Sequence, residues 1–389
     1  MSQRTMRGRA VRWGVPVAAM AVVAAAVGAG PVIAAVQGDP TLPERTANQL
    51  LADAVQAAKS GPKPMSGTLV QTASFGLPGL PDMAGLGGTS PAALLTGSHE
   101  LKVWYGGADR MRFALPGRMS ETDLIVNGGQ VWLWESDAEK ATRITGDTEA
   151  AARPETAAPT AVTPQQLADE LLSKPGTAVG VTNTERVADR AAYQLTFAPK
   201  DASSLVREVR LALDGETLIP LRVQVYAKSA AEPAFEVGFT SVAFTPPAPG
   251  NFTFTPPPGA KVEEKRIDDL TAVAGKRAER AEGIKEEAKI VGEGWTAVAV
   301  LPFSEQDLKR QLPPADQELP GGRAPRQDGG QGVGAVVDAV LKSAQPVSGP
   351  WGSGRVVRTK LVSALLTDDG RLLVGAVTPE KLTEVAGQK

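Results

Sequence analysis

The sequence of 389 residues contains no cysteine and a single histidine, His99. The first absence excludes disulfides, thiolate metal sites and any lipid attached through a cysteine behind an export signal. The second leaves zinc and copper sites of the usual kinds without a donor set. A Ser-His-Asp triad would have to use His99, which opens a predicted strand and reads as a strand-edge residue. A basic surface is also lacking: the formal net charge is −2, which gives no electrostatic case for nucleic acid.

Catalytic motifs are equally scarce. Gly330-x-Gly332-x-Gly334 has no Gly-Lys-Ser/Thr element behind it and reads as a hinge. Trp351-Gly352-Ser353-Gly354-Arg355 lacks the Gly-x-Ser-x-Gly spacing of a nucleophile elbow. The paired carboxylates Asp268-Asp269, Glu286-Glu287 and Asp368-Asp369 are neighbours in sequence, whereas glycosidic chemistry needs two carboxyls facing each other across a cleft. The chain reads as a non-enzyme without a cofactor. An exported hydrolase is the weakest alternative, for want of a base and a nucleophile.

What is present begins with an address. Arg4, Arg7, Arg9 and Arg12 precede an uncharged, Ala- and Val-rich stretch from Trp13 to Val36. A basic flank followed by an apolar segment is what export requires. Val32-Ile33-Ala34 before Ala35 offers a small-residue cleavage site, and the stretch is also just long enough to span a bilayer. Residues 1–36 are thus a cleaved signal peptide or a retained anchor over residues 13–36. Either places the rest in the cell envelope, on the extracytoplasmic side of the membrane.

The remaining length suits two domains. Thr41-Leu42-Pro43-Glu44 reads as a capping box opening a helix that runs to about Lys59. Strands are predicted over Ser66–Phe75, His99–Tyr105, Arg110–Leu115, Ser120–Val126, Gln130–Glu135 and Lys140–Ile144, with Asn127-Gly128-Gly129 a strong hairpin signal. A low-complexity stretch, Glu149–Pro164, and a short helix to Leu172 precede a second series: Gly180–Val187, Ala192–Ala198, Leu205–Leu213, Pro220–Ala227 and Ala234–Phe244. Between the first two strands, residues 76–97 hold one charge, Asp82, and six large apolar side chains: Leu77, Leu80, Met83, Leu86, Leu94 and Leu95. Loops this long are usually functional or disordered. This one is either a lid over an apolar opening or a satellite core under a surface loop.

Beyond Val262 the character changes. Residues 263–291 read as a charged helical connector, and 292–389 as a small α+β domain with strands from Gly294, a Pro/Gly-rich loop over Pro313–Gly332 and a helix over Val333–Ala344. A hairpin of Arg355–Thr367 and Arg371–Val377 turns at Asp368-Asp369-Gly370, before a terminal helix over Thr378–Val385. A polar connector of this kind predicts that few core contacts cross between the domains.

The first domain ends on Asn251-Phe252-Thr253-Phe254-Thr255-Pro256-Pro257-Pro258-Gly259-Ala260-Lys261-Val262. This Phe-x-Phe-x-Pro-Pro-x-Gly-x-x-Val ending, after a helix and many short strands, resembles the last strand of the LolA/LolB-like lipoprotein carriers. The added C-terminal unit is similar to that of two-domain RseB/MucB-type sensors. The resemblance covers residues 41–262 and implies an α+β fold: a half-open antiparallel β-barrel enclosing helices, followed by a small α+β domain. It also implies reversible binding of a lipid or acylated protein in an apolar cavity, as a carrier or chaperone in transport across the envelope. The alternative is an RseB-like envelope-stress sensor that contacts a membrane protein through its C-terminal domain. The residues expected to border the cavity are Leu69, Met111, Phe113, Leu115, Leu195, Phe197 and Val223.

Overall fold

The computed structural model describes residues 41–59, 61, 63–76, 96–117, 119–146, 177–267, 283, 287–303, 340 and 342–388. The expected export segment, Leu77, Leu80, Met83, Leu86, Leu94 and Leu95, the stretch from Glu149 to Leu172, residues 313–332 and residues 333–339 lie outside them. No helix among the described residues is long and apolar enough to cross a membrane.

Eleven strands fall within a few residues of the sequence expectation. In order they are β1 (Met65–Ser74), β2 (Thr96–Gly107), β3 (Arg110–Pro116), β4 (Glu121–Asn127), β5 (Gln130–Glu135), β6 (Lys140–Thr145), β7 (Thr177–Val187), β8 (Arg190–Pro199), β9 (Val206–Asp214), β10 (Pro220–Ala227) and β11 (Pro233–Ala243). With β12 (Lys261–Arg266) they form one 12-stranded sheet in the order β12-β6-β5-β4-β3-β2-β1-β11-β10-β9-β8-β7. Between β4 and β5, Gly128 and Gly129 both take positive φ (54° and 83°), the conformation that a two-residue hairpin turn demands and that glycine adopts without strain.

Several expectations need correction. The capping box lies five residues later than expected: the Thr46 amide donates to Gln49 Oε1 and the Gln49 amide to Thr46 Oγ1, so helix α1 is Ala47–Lys59. Thr41–Pro43 is held elsewhere, because the Leu42 amide donates to the Asn183 carbonyl and the Tyr193 hydroxyl to the Pro43 carbonyl. The Phe-x-Phe-x-Pro-Pro ending is not a strand. Pro249–Phe252 is a 3-10 turn and the prolines that follow cannot donate to a ladder. Pairing resumes only at β12, which runs parallel to β6. Residues 263–266 therefore continue the large sheet, and the far end of the expected helical connector is β13 (Lys289–Val291).

The second sheet has six strands in the order β13-β14-β18-β17-β16-β15. The others are β14 (Val298–Pro302), β15 (Gln345–Gly349), β16 (Gly352–Arg358), β17 (Ser363–Thr367) and β18 (Arg371–Gly375). The expected long strand Arg355–Thr367 is broken into two by a turn in which the Thr359 amide donates to the Val362 carbonyl. Helix α2 (Pro379–Ala386) buries Leu382, Val385 and Ala386 against Val298, Leu365 and Leu373.

Polar sequence between the sheets does not make a purely polar join. Val206, Ala227, Ala234 and Leu361 form a buried cluster with Phe75, Trp295 and Ala376 packed on it, so side chains of both sheets share one small core. Backbone bonds reinforce it: Leu205 N–H to Ala376 O, Thr378 N–H to Ser203 O and Lys360 N–H to Phe75 O, at 2.8, 2.8 and 2.7 Å.

Candidate functional site

Alternation along the strands sorts the large sheet into two faces, and cross-strand register connects them row by row. One row runs Met65, Tyr105, Met111, Val126, Val131, Ile144 from β1 to β6. The next runs Gly67, Val103, Phe113, Leu124, Leu133, Thr142. In the other direction Val237, Val223, Leu211, Leu195 and Val181 continue the same face through β11, β10, β9, β8 and β7. All seven residues expected at the cavity lie on this one face. Leu69 and Val223 are buried in one cluster with Phe113 packed on it, Leu195 and Phe197 belong to a second, and Met111 and Leu115 are half-buried.

Burial divides the face. Over β8 and β9, helix α1 presses Leu50 and Leu51 onto Tyr193, Leu195 and Leu213, all at most 6% exposed. Over β2–β6, Leu101, Tyr105, Met111, Phe113, Leu124, Val126, Val131, Leu133 and Ile144 are only half-buried. Five strands at about 4.8 Å spacing make this apolar surface roughly 19 Å wide. Its polar limit is the Glu135–Lys140 pair, 2.7 Å apart. Burial, then the Asp109 charge, push the Tyr105 phenol above its ordinary pKa, as an apolar setting would.

The opposite face of the same strands buries Ala114, Asp123, Ile125 and Ala141, while Trp104, Trp132 and Trp134 are half-buried. After β11 the chain crosses it. Phe252, 1% exposed, packs so near β2 that a Cβ on Gly106 would stand 3.0 Å from the Phe252 ring. Phe254 lies 5.6 Å from the Trp132 ring and 5.9 Å from Trp134. Beneath this strap Arg112 grips the buried Asp123 with two bonds, of 3.1 and 2.9 Å, and stacks on Trp104. The motif that suggested a last strand thus works as an aromatic cover. A cleft of about 210 Å³ further along this face is bordered by Val70, Thr72, Arg186, Arg222, Glu236 and Phe239. None of the seven expected residues borders it.

Alternation within a single strand marks Met111, Phe113 and Leu115 but not their partners on β4, β5 and β6. The signal is available: once Asn127-Gly128-Gly129 fixes the turn, Leu124 must face Leu133 and Val126 must face Val131.

No family model matches the chain, and no curated protein matches it. Solved structures do. A chain of the Pseudomonas aeruginosa MucA/MucB complex is 14% identical, with 87% of this chain and 96% of that one covered, at a TM-score of 0.37. The chain is similar to MucB-type and LolA-superfamily proteins. Among the latter, NE2245 from Nitrosomonas europaea is 11% identical over 54% of this chain and 99% of its own, at a TM-score of 0.20. LprF from Mycobacterium bovis is 12% identical over 54% and 99%, at 0.27. At such identities and scores the likeness says nothing of the ligand.

Proposed function

We propose that the chain is an exported, non-enzymatic binding protein that holds acyl chains of a lipid or acylated protein on the apolar surface of β2–β6. The observation that supports this most is that surface itself. Nine large apolar side chains, aligned in register across five strands, stay half-buried, while over β8 and β9 helix α1 buries Tyr193, Leu195 and Leu213. A contiguous apolar patch left partly open to solvent is the kind of surface that binds apolar partners. The mechanism is partition: each methylene taken from water contributes about 0.8 kcal/mol. A surface without fixed charge between Ile144 and Leu101 discriminates little by chain length. The apolar loop over residues 76–97 acts as a lid in this reading.

A second reading, a regulatory sensor for a membrane partner, draws support from the small core shared by the two sheets, since Phe75 at the end of β1 touches it. The domains as read from sequence, 41–262 and 292–389, would then act as input and output. Mass spectrometry of solvent extracts from the natively expressed protein tests the binding proposal. Stoichiometric lipid that is lost with Phe113→Asp and Leu133→Asp supports it, whereas a lipid-free protein that captures no added fatty acid overturns it.

A further inference from the structure

Each sheet has two outer strands, and unpaired strand edges invite pairing unless something blunts them. Three of the four are blunted. In β12, Lys261, Glu263, Glu264, Lys265 and Arg266 charge five of six positions. In the small sheet β15 carries Pro346 and β13 is three residues long. The fourth, β7, is different. It runs for 11 residues with no charge from Thr177 to Thr184, and Ala178, Gly180, Thr182 and Thr184 stand exposed. Among the described residues its only neighbour in the sheet order is β8.

The ends of this edge are occupied. Leu42 donates to the Asn183 carbonyl and receives the Asn183 side-chain amide, at 3.0 and 2.6 Å. At the other end the Trp295 indole donates to Thr177 Oγ1 at 2.9 Å. Between them residues 178–182 span about 17 Å of strand, and every second residue turns its N–H and C=O outward. We propose that this interval binds an extended, uncharged segment of another protein by strand addition, in register beside β7.

Alternation fixes the partner's chemistry. Side chains opposite Val179 and Val181 would extend the apolar rows that run through Phe197 and Leu195, so the partner needs apolar residues at alternate positions. Those in between would stand beside Ala178, Gly180 and Thr182, where small or polar residues fit. A second copy fits worse. In an antiparallel join of two β7 strands, the Leu42 end of one copy meets the Trp295 end of the other, and the two occupied ends coincide. A free peptide strand carries no such flanks. The proposal stands apart from the acyl-binding reading, which concerns other strands.

The probe is a synthetic peptide of alternating valine and threonine with lysines outside the pairing span, mixed with the full-length chain. Hydrogen exchange of the amides in residues 178–182 should slow on binding. Gly180→Lys with Thr182→Lys should weaken binding at least about tenfold, while Val262→Lys on the charged β12 edge should leave it unchanged. If the double variant misfolds by circular dichroism, Ala178→Lys replaces it and should have the same effect in smaller measure. No binding, binding indifferent to the β7 lysines, or a dimer that those lysines abolish would each overturn the proposal.

Discussion

The two halves of the large sheet share a face and a pattern of alternation but not a fate. On β8 and β9 the apolar rows end under helix α1, and Tyr193, Leu195 and Leu213 are at most 1% exposed. On β2–β6 the rows carry side chains of the same kind, yet none of Met111, Phe113, Leu124 and Leu133 is fully buried. The other face of that half carries the strap of Phe252 and Phe254, and Ala114, Asp123 and Ile125 are buried there. On the helix side Leu101, Tyr105 and Phe113 pack at the margin of the buried cluster around Leu69 and Val103. The half under α1 holds Tyr193, Leu195 and Leu213 as core, whereas the other half keeps most of its apolar side chains half-buried, Val103 excepted.

Variants can break this comparison. The largest effect belongs to the covered half. Asp214, fully buried, accepts from Arg190 and from the amides and hydroxyl of the turn that follows. Asp214→Ala leaves Arg190 without its main partner and should cost about 3–5 kcal/mol in chemical denaturation. The same group sets an acid limit. Burial raises the Asp214 pKa, but the bonds from Arg190 and Thr217 outweigh it, and the net shift is downward. A carboxyl whose folded pKa lies below its unfolded value contributes stability that is complete above the unfolded value, near 4. That contribution is lost as pH falls through the folded value. The Asp214→Ala penalty should accordingly shrink in acid, and a penalty constant down to pH 2 would show that the turn's packing, not its ionisation, matters.

Next in size is Leu195→Ala, which opens a cavity under α1 and should cost about 2–5 kcal/mol. Leu133→Ala removes a side chain of the same type from the half-buried surface and should cost less, about 1 kcal/mol or below, in keeping with the smaller area it hides. Equal losses at the two positions, measured by urea denaturation, would erase the distinction between core and surface. The smallest effect sought is Leu80→Asp with Met83→Asp, which should weaken acyl capture while changing stability by no more than about 0.5 kcal/mol. A large loss would make that loop ordinary core.

Strand positions were legible because period-2 patterning and turn residues are local signals; Gln130–Glu135 and Pro220–Ala227 were read to the residue. What the local pattern could not carry was the path of the chain between distant strands. Nothing in Asn251–Val262 says whether two phenylalanines extend a sheet or lie across it, since that depends on strands up to five places from β11 in the order. Thr41-Leu42-Pro43-Glu44 failed for the same reason: a valid capping signal yielded to a tertiary bond between Leu42 and Asn183. For the candidate site, alternation put all seven residues on one face, as the strand register has them, but could not give the covering, and only the position of α1 separates Leu195 from Met111.

The most direct test of the central claim is photolabelling with a diazirine-bearing palmitic acid, followed by peptide mapping of the adducts. The account predicts adducts concentrated on the β2–β6 surface, at Leu101, Met111, Phe113, Leu124 and Leu133, with β8 and β9 unlabelled and labelling competed away by unmodified fatty acid. Adducts confined to β8 and β9, or spread evenly over the molecule without competition, would contradict it.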